Sequence, residues 1–319
     1  MLASPFRPPA PALAAAKFRD PKRTAAGEPR ATVSLSALRT LWFNTGTLCN
    51  ITCQTCYIES SPTNDALIYL SAADVITYLE EIGRAALPTR EIGFTGGEPF
   101  MNRDIIPMLE AALVRGFRVL VLTNAMRPMR RFEAELAGLV GRYGGRLTIR
   151  VSLDHHRPDI HEAERGPGTW DVAVAGLQFL ASLGARLAIA SRLLPGETQA
   201  AARAGFGHLL QELSIPLDSD DPERLVLFPE MDEAADTPEI TEACWGILHK
   251  SPGSVMCASS RMVVHRRAEP GPRVVSCTLL PFDPQFDLGG TLAEASRPVA
   301  LNHPHCARFC VLGGASCSA

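Results

Sequence analysis

The fold of this chain is decided by a stretch near its start, residues 40–56, which reads TLWFNTGTLCNITCQTC. Its first five residues form an apolar run with the length and composition of a buried strand. Cys49, Cys53 and Cys56 follow on a short segment without helical or strand periodicity. At the carboxyl end of a barrel strand, where α/β barrels build active sites, three such thiols can reach three corners of a cubane iron–sulfur cluster. The spacing alone leaves a zinc site or buried cysteines as alternatives.

Outward from this stretch, short aliphatic runs alternate with amphipathic stretches of helical length as far as residue 228. This alternation is typical of consecutive βα units around a parallel sheet, so an α/β protein is expected. The six predicted strands cover residues 40–44, 91–95, 118–123, 147–153, 186–192 and 224–228. The predicted helices between them cover residues 72–86, 105–115, 130–143, 170–183 and 198–213.

Three regions of different composition are predicted along the chain. Residues 1–36 are rich in Pro, Ala and Arg and are interpreted as a flexible tail, with a transit peptide as the weaker alternative. Residues 37–230 hold the βα units. Residues 231–319 are rich in Pro, Gly and Cys, and this region cannot bury much apolar surface for its length. A metal cross-link is therefore expected in the third region.

Composition narrows the class of protein. The 319 residues are 46% hydrophobic and 20% charged, with a net charge of −3, which gives no electrostatic reason to expect nucleic acid or an anionic membrane as partner. No apolar run approaches the ~18 residues that a membrane-spanning helix needs. The nine cysteines fall in tight groups without a secretory segment, so we expect metal ligands in a reducing cytoplasm rather than disulfides. Small molecules or peptides remain as partners.

A second motif follows the second predicted strand, which runs directly into Gly96, Gly97, Glu98 and Pro99. Glycines let the backbone approach a ligand closely, and a carboxylate can accept hydrogen bonds from an ammonium group. Alone, these four residues would indicate only a turn. One βα unit after a loop with cysteines spaced three and then two residues apart, they resemble the radical S-adenosylmethionine (SAM) superfamily.

This resemblance implies a partial (β/α)6 TIM-like barrel with a small Cys-rich C-terminal extension. It also implies that Cys49, Cys53 and Cys56 hold a [4Fe–4S] cluster whose fourth iron site is open to SAM. The Gly96–Pro99 segment is similar to the family's GGEP motif, which binds the amino group of the methionine moiety of SAM.

Further matches extend the resemblance to about residue 192. Asn124 lies in a segment similar to the family's TN motif, and Ser152 in one similar to its SLD motif, where the serine contacts the SAM ribose. Arg165 matches an arginine that reaches the SAM carboxylate in related enzymes, with a surface ion pair as the alternative. The family often has an aromatic residue before the third cysteine, near the adenine. Here that residue is Thr55, and Tyr57 follows the cysteine as the candidate adenine contact.

The C-terminal cysteines resemble the auxiliary-cluster region of twitch and SPASM proteins. Two of them flank a hairpin-like segment and the others follow in a loop, although their spacing is longer than in the family. The resemblance implies one auxiliary [4Fe–4S] cluster, with structural zinc as the alternative. Its expected ligands are Cys257, Cys277, Cys306 and Cys310, with Cys317 competing for one place.

The remaining candidate groups are assigned simpler roles. Cys244 lies in an amphipathic stretch and is interpreted as a small buried hydrophobic residue, with a catalytic thiol as the alternative. His155, His156, His303 and His305 are interpreted as solvated loop histidines rather than ligands or acid–base groups.

The resemblance implies reductive cleavage of SAM to a 5′-deoxyadenosyl radical, which abstracts hydrogen from a small-molecule or peptide substrate. The auxiliary cluster would serve a net oxidation, and a flavodoxin or ferredoxin would donate electrons. A peptide- or protein-modifying maturase is the alternative, although the segment before the barrel is too short for a winged-helix leader-recognition domain. The alternative from another class is a non-catalytic iron–sulfur or zinc protein. No catalytic side chain beyond the cofactor ligands is predicted.

Overall fold

The architecture was obtained as a computed structural model that describes residues 4–7 and 10–316. It is built around a mostly parallel sheet with helices packed on its outer side. The strands are β1 Thr32–Val33, β2 Thr40–Asn44, β3 Glu91–Thr95, β4 Arg118–Thr123, β5 Leu147–Ser152, β6 Arg186–Arg192, β7 Leu225–Phe228, β8 Ser260–Val264, β9 Arg273–Val275, β10 Asp287–Gly289 and β11 Val299–Ala300.

The helices follow the strands in the order expected of βα units. The α-helices are α1 Ala72–Arg84, α2 Ile105–Val114, α3 Arg127–Arg130, α4 Glu133–Tyr143, α5 Pro158–Arg165, α6 Thr169–Ser182, α7 Gln199–Glu212 and α8 Cys244–Ile247. A wide, π-type helical segment, Cys306–Leu312, lies near the C-terminus. No helix within residues 4–7 and 10–316 is both long enough and apolar enough to cross a lipid bilayer.

Nine strands form one open sheet in the order β10, β9, β8, β2, β3, β4, β5, β6, β7. Strands β2 to β7 pair in parallel in sequence order, and β8 pairs in parallel with β2 at the other side. Parallel pairing brings the carboxyl ends of these strands, and the loops that follow them, to one edge of the sheet. The predicted α/β fold with a partial barrel is confirmed.

The core between the sheet and the helices is close-packed. Trp42 and Phe94 are fully buried on neighbouring strands. A Cβ atom at Gly93 of β3 would lie only 2.3 Å from the Trp42 ring, so glycine is required for the indole to cover this strand. The Trp42 ring therefore packs directly on the backbone of Gly93.

Two helices differ from the sequence prediction. The predicted helix over residues 130–143 is divided into α3 and α4, and Pro128 lies in the first turn of α3, where its missing N–H is tolerated. Helix α5 was not predicted, because its eight residues, PDIHEAER, are mostly polar. It nevertheless buries His161 and Glu164, which lie on the side that faces the core.

The N-terminal segment also differs from its prediction. Instead of a flexible tail, its described residues form a strap across the C-terminal part of the chain. Phe6 and Phe18 are buried, and the Leu13 N–H donates to the Ala234 carbonyl at 2.7 Å. Strand β1 pairs antiparallel with β11. Buried aromatic rings and paired backbone groups explain why a segment of disorder-prone composition packs.

The C-terminal region shares the sheet with the barrel. Strands β8, β9 and β10 extend the same sheet beyond β2, so residues 231–316 are not a separate body stacked against residues 37–230. Their apolar side chains, including Val263 and Val274, belong to the same hydrophobic core as Phe43. The division of the chain into residues 1–36, 37–230 and 231–319, which was based on composition, stays a prediction.

Candidate functional site

A cavity of about 180 Å³ lies at the carboxyl ends of the parallel strands. Its walls come from the loop after β2, from the ends of β3 to β6, and from the C-terminal region. Most of the residues that the sequence singled out for the cofactor line this one cavity: Cys49, Cys53, Cys56, Tyr57, Gly96, Gly97, Asn124, Ser152 and Arg165. The structure thus brings together residues that are spread over more than a hundred positions of the chain.

The cysteine loop is held by backbone hydrogen bonds at both of its ends. The Cys49 N–H donates to the Ser61 carbonyl at 3.0 Å, and the Ser60 N–H donates to the Cys56 sulfur at 3.3 Å. Cys49 is buried, whereas Cys53 and Cys56 are half-buried at the cavity wall. The side-chain amide of Asn124 lies 3.8 Å from the Cys49 sulfur, close enough for a weak N–H···S contact. The loop therefore has a defined conformation before any ligand is considered.

Burial controls the protonation of these thiols. It raises the pKa of Cys49 to about 11, and the negative charge of Glu98 acts in the same direction. Burial also raises the pKa of Cys53 to about 12, while the nearby Arg165 guanidinium opposes the shift. Thiols in such an environment are neutral unless a metal stabilises their thiolates. The donor set therefore fits metal ligation better than use as free nucleophiles.

Helix α5 clamps the middle of the cysteine loop through a buried carboxylate that sequence reasoning missed. Glu164 Oε1 accepts hydrogen bonds from the Thr55 N–H at 2.8 Å and from the Thr55 hydroxyl at 2.6 Å. The Gln54 N–H donates to the Glu164 backbone carbonyl at 3.0 Å. Arg192, at the end of β6, lies 3.3 Å from the same carboxylate oxygen. In the sequence, the one feature that could have pointed to this role is that Glu164 directly precedes Arg165, a predicted SAM contact.

The two glycines after β3 let that strand end pack directly against the cysteine loop. A Cβ atom at Gly97 would lie 2.3 Å from the Leu48 carbonyl oxygen, and one at Gly96 would lie 2.7 Å from the Gly46 carbonyl oxygen. The Gly97 N–H donates to the Gly46 carbonyl at 2.8 Å. Glycine is therefore required at both positions because the backbone of the cysteine loop lies so close. The sequence also predicted a close approach here, but to a ligand.

Glu98 is held by hydrogen bonds at the ends of β3 and β4. Its carboxylate accepts hydrogen bonds from the Thr123 hydroxyl at 2.8 Å, from the Asn124 N–H at 2.8 Å and from the Phe100 N–H at 3.1 Å. Burial raises the pKa of Glu98 to about 7, although these donors oppose the shift. Neither Glu98 nor Pro99 lines the cavity, in contrast to Gly96 and Gly97.

Protein donors hold both carboxylate oxygens of Glu98. The carboxylate thereby joins the end of β3 to the end of β4 and positions Asn124 at the cavity wall. The expected contact between this carboxylate and SAM stays a prediction.

Arg165 forms a two-point ion pair with Asp154, the residue that follows Leu153 in the SLD segment. Its Nε lies 2.7 Å from Asp154 Oδ2, and its Nη2 lies 3.1 Å from Asp154 Oδ1. Although burial opposes the change, Arg165 lowers the pKa of Asp154, and Asp154 in turn raises the pKa of Arg165. The pair is largely buried and lines the cavity, so it is not the surface ion pair considered as the alternative. It uses two of the five guanidinium N–H donors.

A second, smaller cavity of about 20 Å³ lies in the C-terminal region. Cys257 precedes β8, Cys277 follows β9, and Cys306 and Cys310 lie on the π-type segment, and all four line this cavity. The four cysteines chosen from the sequence as auxiliary ligands thus lie around one point. Cys317, the competing ligand, lies outside the described residues.

The electrostatics of the second cavity resemble those of the first. Burial raises the pKa of Cys257 to about 12, and the neighbouring Cys277 thiol adds to the shift. Burial also raises the pKa of Cys306 well above its ordinary value, with Cys277, Cys257 and Cys310 acting in the same direction. A negative charge on one of these thiols makes ionisation of Cys257 or Cys306 less favourable. A shared cation would allow all four to become thiolates together.

The cysteine sulfurs are not drawn together as closely as they would be around a bound zinc ion. In residues 4–7 and 10–316, no three cysteine sulfurs all lie within 4.8 Å of one another. Tetrahedral zinc, with Zn–S bonds of about 2.3 Å, would bring its thiolates to about 3.8 Å from one another. The choice of a [4Fe–4S] cluster for the second cysteine set stays a prediction.

The histidines are more buried than expected for solvated loops. His155 stacks on His156 with ring centroids 4.1 Å apart, and its Nε2 lies 3.3 Å from Glu197 Oε1. The Arg157 N–H donates to His155 Nδ1 at 3.1 Å, which places the proton of a neutral ring on Nε2, towards Glu197. His155 is therefore hydrogen-bonded at both of its ring nitrogens. Burial likewise lowers the pKa of His305 to about 3, beside the second cavity.

Comparison with known proteins gives the same family for the central part of the chain. The model of the Radical SAM superfamily matches residues 43–206. Mycofactocin maturase MftC of Mycolicibacterium smegmatis is 29% identical over 136 residues, which are 43% of this chain and 32% of that protein. AdoMet-dependent heme synthase of Oleidesulfovibrio alaskensis is 26% identical over 144 residues, 44% of this chain and 34% of that protein. The match thus spans about a third of the length of these curated relatives.

Among solved structures, Streptococcus suis SuiB bound to S-adenosylmethionine superposes on 80% of this chain and 63% of that chain, with a TM-score of 0.56 and 13% sequence identity. At this level of identity the likeness concerns the fold alone.

Proposed function

The chain belongs to the radical SAM superfamily, whose members use SAM and a [4Fe–4S] cluster, and on this premise we propose that it is a SAM-cleaving enzyme. Cys49, Cys53 and Cys56 hold the cluster, and SAM binds in the adjoining cavity. The observation that carries this proposal is the convergence of the three thiols with the predicted SAM contacts on one cavity of about 180 Å³.

When bound, the cluster and SAM supply reductive cleavage of SAM and abstraction of hydrogen from a substrate. The side chains of the protein bind and orient. Arg165, held by Asp154, offers its remaining N–H donors to the SAM carboxylate, and the Ser152 hydroxyl faces the ribose. Asn124, fixed by Glu98, lies at the wall beside Cys49. Gly96 and Gly97 line the cavity and let the end of β3 pack against the cysteine loop.

Part of the cavity wall is apolar and suits contact with a substrate. Phe228, Met231, Leu279 and Phe309 line it and would keep water away from the reacting atoms. An apolar wall selects a substrate with a hydrophobic portion next to the reacting C–H bond. Arg192, which also lines the cavity, is paired with Glu230 at 2.6 Å.

For the substrate class, we favour a peptide. The sequence similarity to the maturase MftC supports this choice, and it outweighs the argument from the short N-terminal segment that favoured a small molecule. A small metabolite is the second candidate, because the heme synthase is similar over the same share of the chain. Electrons would come from a flavodoxin or a ferredoxin.

The second cysteine set forms an auxiliary [4Fe–4S] cluster in this proposal. Its support is the placement of Cys257, Cys277, Cys306 and Cys310 around one cavity. Leu279 lines both cavities, so the auxiliary site lies directly behind the substrate wall. An auxiliary cluster there is placed to exchange electrons with a bound substrate.

Anaerobic reconstitution tests both parts of the proposal. The reduced protein mixed with SAM should form 5′-deoxyadenosine and contain about eight iron ions per chain, as two cubanes require. The C49A/C53A/C56A variant should form none and retain about four. The matched control is C244A, because Cys244 is half-buried and lines neither cavity. No 5′-deoxyadenosine from the intact protein, or full iron in the triple variant, would contradict the proposal.

The substrate class is tested with the same protein. Deuterium-labelled candidate peptides and metabolites are incubated with SAM, and transfer of deuterium into 5′-deoxyadenosine is measured by mass spectrometry. Transfer from peptides only is the expected result, and transfer from metabolites only would replace the peptide with the second candidate.

A further inference from the structure

Arg261 is a fully buried arginine in β8, next to the second cavity. In the described part of the chain, the hydrogen bonds of its guanidinium all go to backbone carbonyls. Nε donates to Ala295 at 2.8 Å, and Nη1 donates to Cys257 at 2.6 Å and to Ser260 at 2.8 Å. Nη2 lies 3.4 Å from the Arg297 carbonyl. The hydrogen-bonding needs of the group are therefore met largely by neutral acceptors.

The positive charge of this guanidinium has no carboxylate partner in the described part of the chain. None of the ion pairs within residues 4–7 and 10–316 includes Arg261. Buried charges are normally paired, because neutral hydrogen-bond acceptors compensate only part of the lost hydration. The ionisable groups that interact with Arg261 are the thiols of Cys257 and Cys277. The missing counter-charge is thus expected at the four-cysteine cavity.

We propose that Arg261 is the counter-charge of the auxiliary cluster and keeps the reduction potential of that cluster high. The inference rests on the auxiliary cluster of the proposed function. A cubane with four thiolates has a net charge of about −2 in its oxidised resting form. Uptake of one electron from a donor such as dithionite adds one negative charge and breaks no bond. In a buried, low-dielectric site, a fixed cation stabilises the reduced form more than the oxidised form.

The same side chain also has a structural contact that the test must separate from its charge. By donating to the Cys257 carbonyl and to Ala295, Arg261 ties a proposed ligand to the segment after β10. Lysine at this position keeps the positive charge but loses the planar fork of donors. Glutamine keeps hydrogen-bonding groups but loses the charge. Comparison of the two variants therefore separates the role of the charge from that of the geometry.

The test is a redox titration of the auxiliary cluster, followed by electron paramagnetic resonance, in the full-length C49A/C53A/C56A background. Arg261→Gln should shift the midpoint potential to more negative values, whereas Arg261→Lys should stay close to the parent protein. The control is Arg150→Gln, because Arg150 is also buried but lies on β5, which is separated from β8 by three strands. Its potential should not change.

A potential in Arg261→Gln equal to that of the parent would overturn the inference, and so would an equal negative shift in the Lys and Gln variants. If the Gln variant fails to assemble a cluster, the Lys variant decides: an unchanged potential supports the role of the charge, and a shifted one refutes it. Absence of any cluster in the triple-cysteine background would instead refute the auxiliary cluster itself, which keeps the two failures apart.

Discussion

At the scale of single residues, the carboxylate of Glu164 is the contact that holds the middle of the cysteine loop. Replacement by Gln removes the charge that faces Arg192 and one acceptor for Thr55. Hydrogen bonds to charged groups contribute about 1.5–3 kcal/mol, so the loop should lose its fixed position. We expect Glu164→Gln to lower the rate of 5′-deoxyadenosine formation by about tenfold or more, since about 1.4 kcal/mol corresponds to a factor of ten.

Iron content and rate are measured together in this experiment. The iron content should stay close to that of the parent, because the three thiols remain. Glu80→Gln on the exposed side of α1 is the control and should keep the parent rate. An unchanged rate in Glu164→Gln would show that the clamp has no role in catalysis.

Gly97 tests a second contact at the residue scale. A Cβ atom there would meet the Leu48 carbonyl, which belongs to the backbone and cannot rotate away. Gly97→Ala should displace the cysteine loop and reduce iron incorporation at the first cluster by half or more. The matched control is Gly83→Ala in α1, where a Cβ atom meets nothing within 4 Å. The control should raise stability by about 0.5–1 kcal/mol, because alanine suits a helix better than glycine.

Iron per chain and thermal unfolding of the two alanine variants check this prediction. Equal iron incorporation in both variants would contradict the close approach of β3 to the cysteine loop.

At the scale of elements, Asp287 holds the β9–β10 pair that flanks the auxiliary site. Its carboxylate lies 2.6 Å from Arg266 Nη1 and 2.8 Å from Arg273 Nη2. Although partial burial opposes the change, these donors lower the pKa of Asp287 below its ordinary value of 3.8. A lowered carboxyl pKa stabilises the fold above the unfolded value, and this contribution is lost as the pH falls through the folded pKa.

Asp287→Asn should therefore destabilise the protein by about 1–3 kcal/mol at neutral pH. Urea unfolding at several pH values measures this difference. The gap between variant and parent should be constant from pH 7 to pH 5 and narrow only below about pH 3.8. A gap that already narrows between pH 7 and pH 5 would assign the stabilisation to another group.

The elements also show which signals the sequence contains. Strands β2 to β6 were predicted within one residue at each end, because continuous apolar runs mark strands buried on both faces. Helix α5 was missed because a helix that buries His161 and Glu164 has no apolar stripe. Because this helix was not predicted, the contact of Glu164 with the cysteine loop was not predicted either. Glu164 acts through tertiary hydrogen bonds, which local sequence patterns do not encode.

At the scale of the whole molecule, the N-terminal strap contacts two side chains that line the cavity beside the cysteine loop, Glu164 and Arg192. Ser4 donates to Glu164 at 2.6 Å, and the Arg192 guanidinium lies 4.4 Å from the centroid of the buried Phe6 ring. Phe6→Ala should destabilise the protein by about 3–5 kcal/mol, as for other buried phenylalanines. It should also weaken the hold on Arg192 at the cavity wall.

Thermal unfolding and the rate of SAM cleavage check this prediction together. Phe282→Ala is the control, because Phe282 is 37% exposed and its loss should cost much less stability. If the Phe6→Ala variant is as stable as the parent protein, the packed strap is contradicted and the flexible tail predicted from composition is supported.

Composition failed for this strap because Pro, Ala and Arg content measures the tendency of an isolated segment to stay disordered. It contains no information on a partner elsewhere in the chain. The pairing of β1 with β11 and of Leu13 with Ala234 depends on residues more than two hundred positions away. By contrast, the two cysteine sets were recognisable from the sequence because ligand chemistry restricts residue type and local spacing. The protein donors that hold Glu98 were not, because only the fold shows which groups reach a carboxylate.

The central claim is that Cys49, Cys53 and Cys56 hold a cluster with one iron left open to SAM. Electron paramagnetic resonance of the anaerobically reduced protein, with and without SAM, tests it most directly. SAM should change the spectrum of the parent protein, because it binds the open iron, and should leave the spectrum of the C49A/C53A/C56A variant unchanged. A parent spectrum that does not respond to saturating SAM would contradict the account.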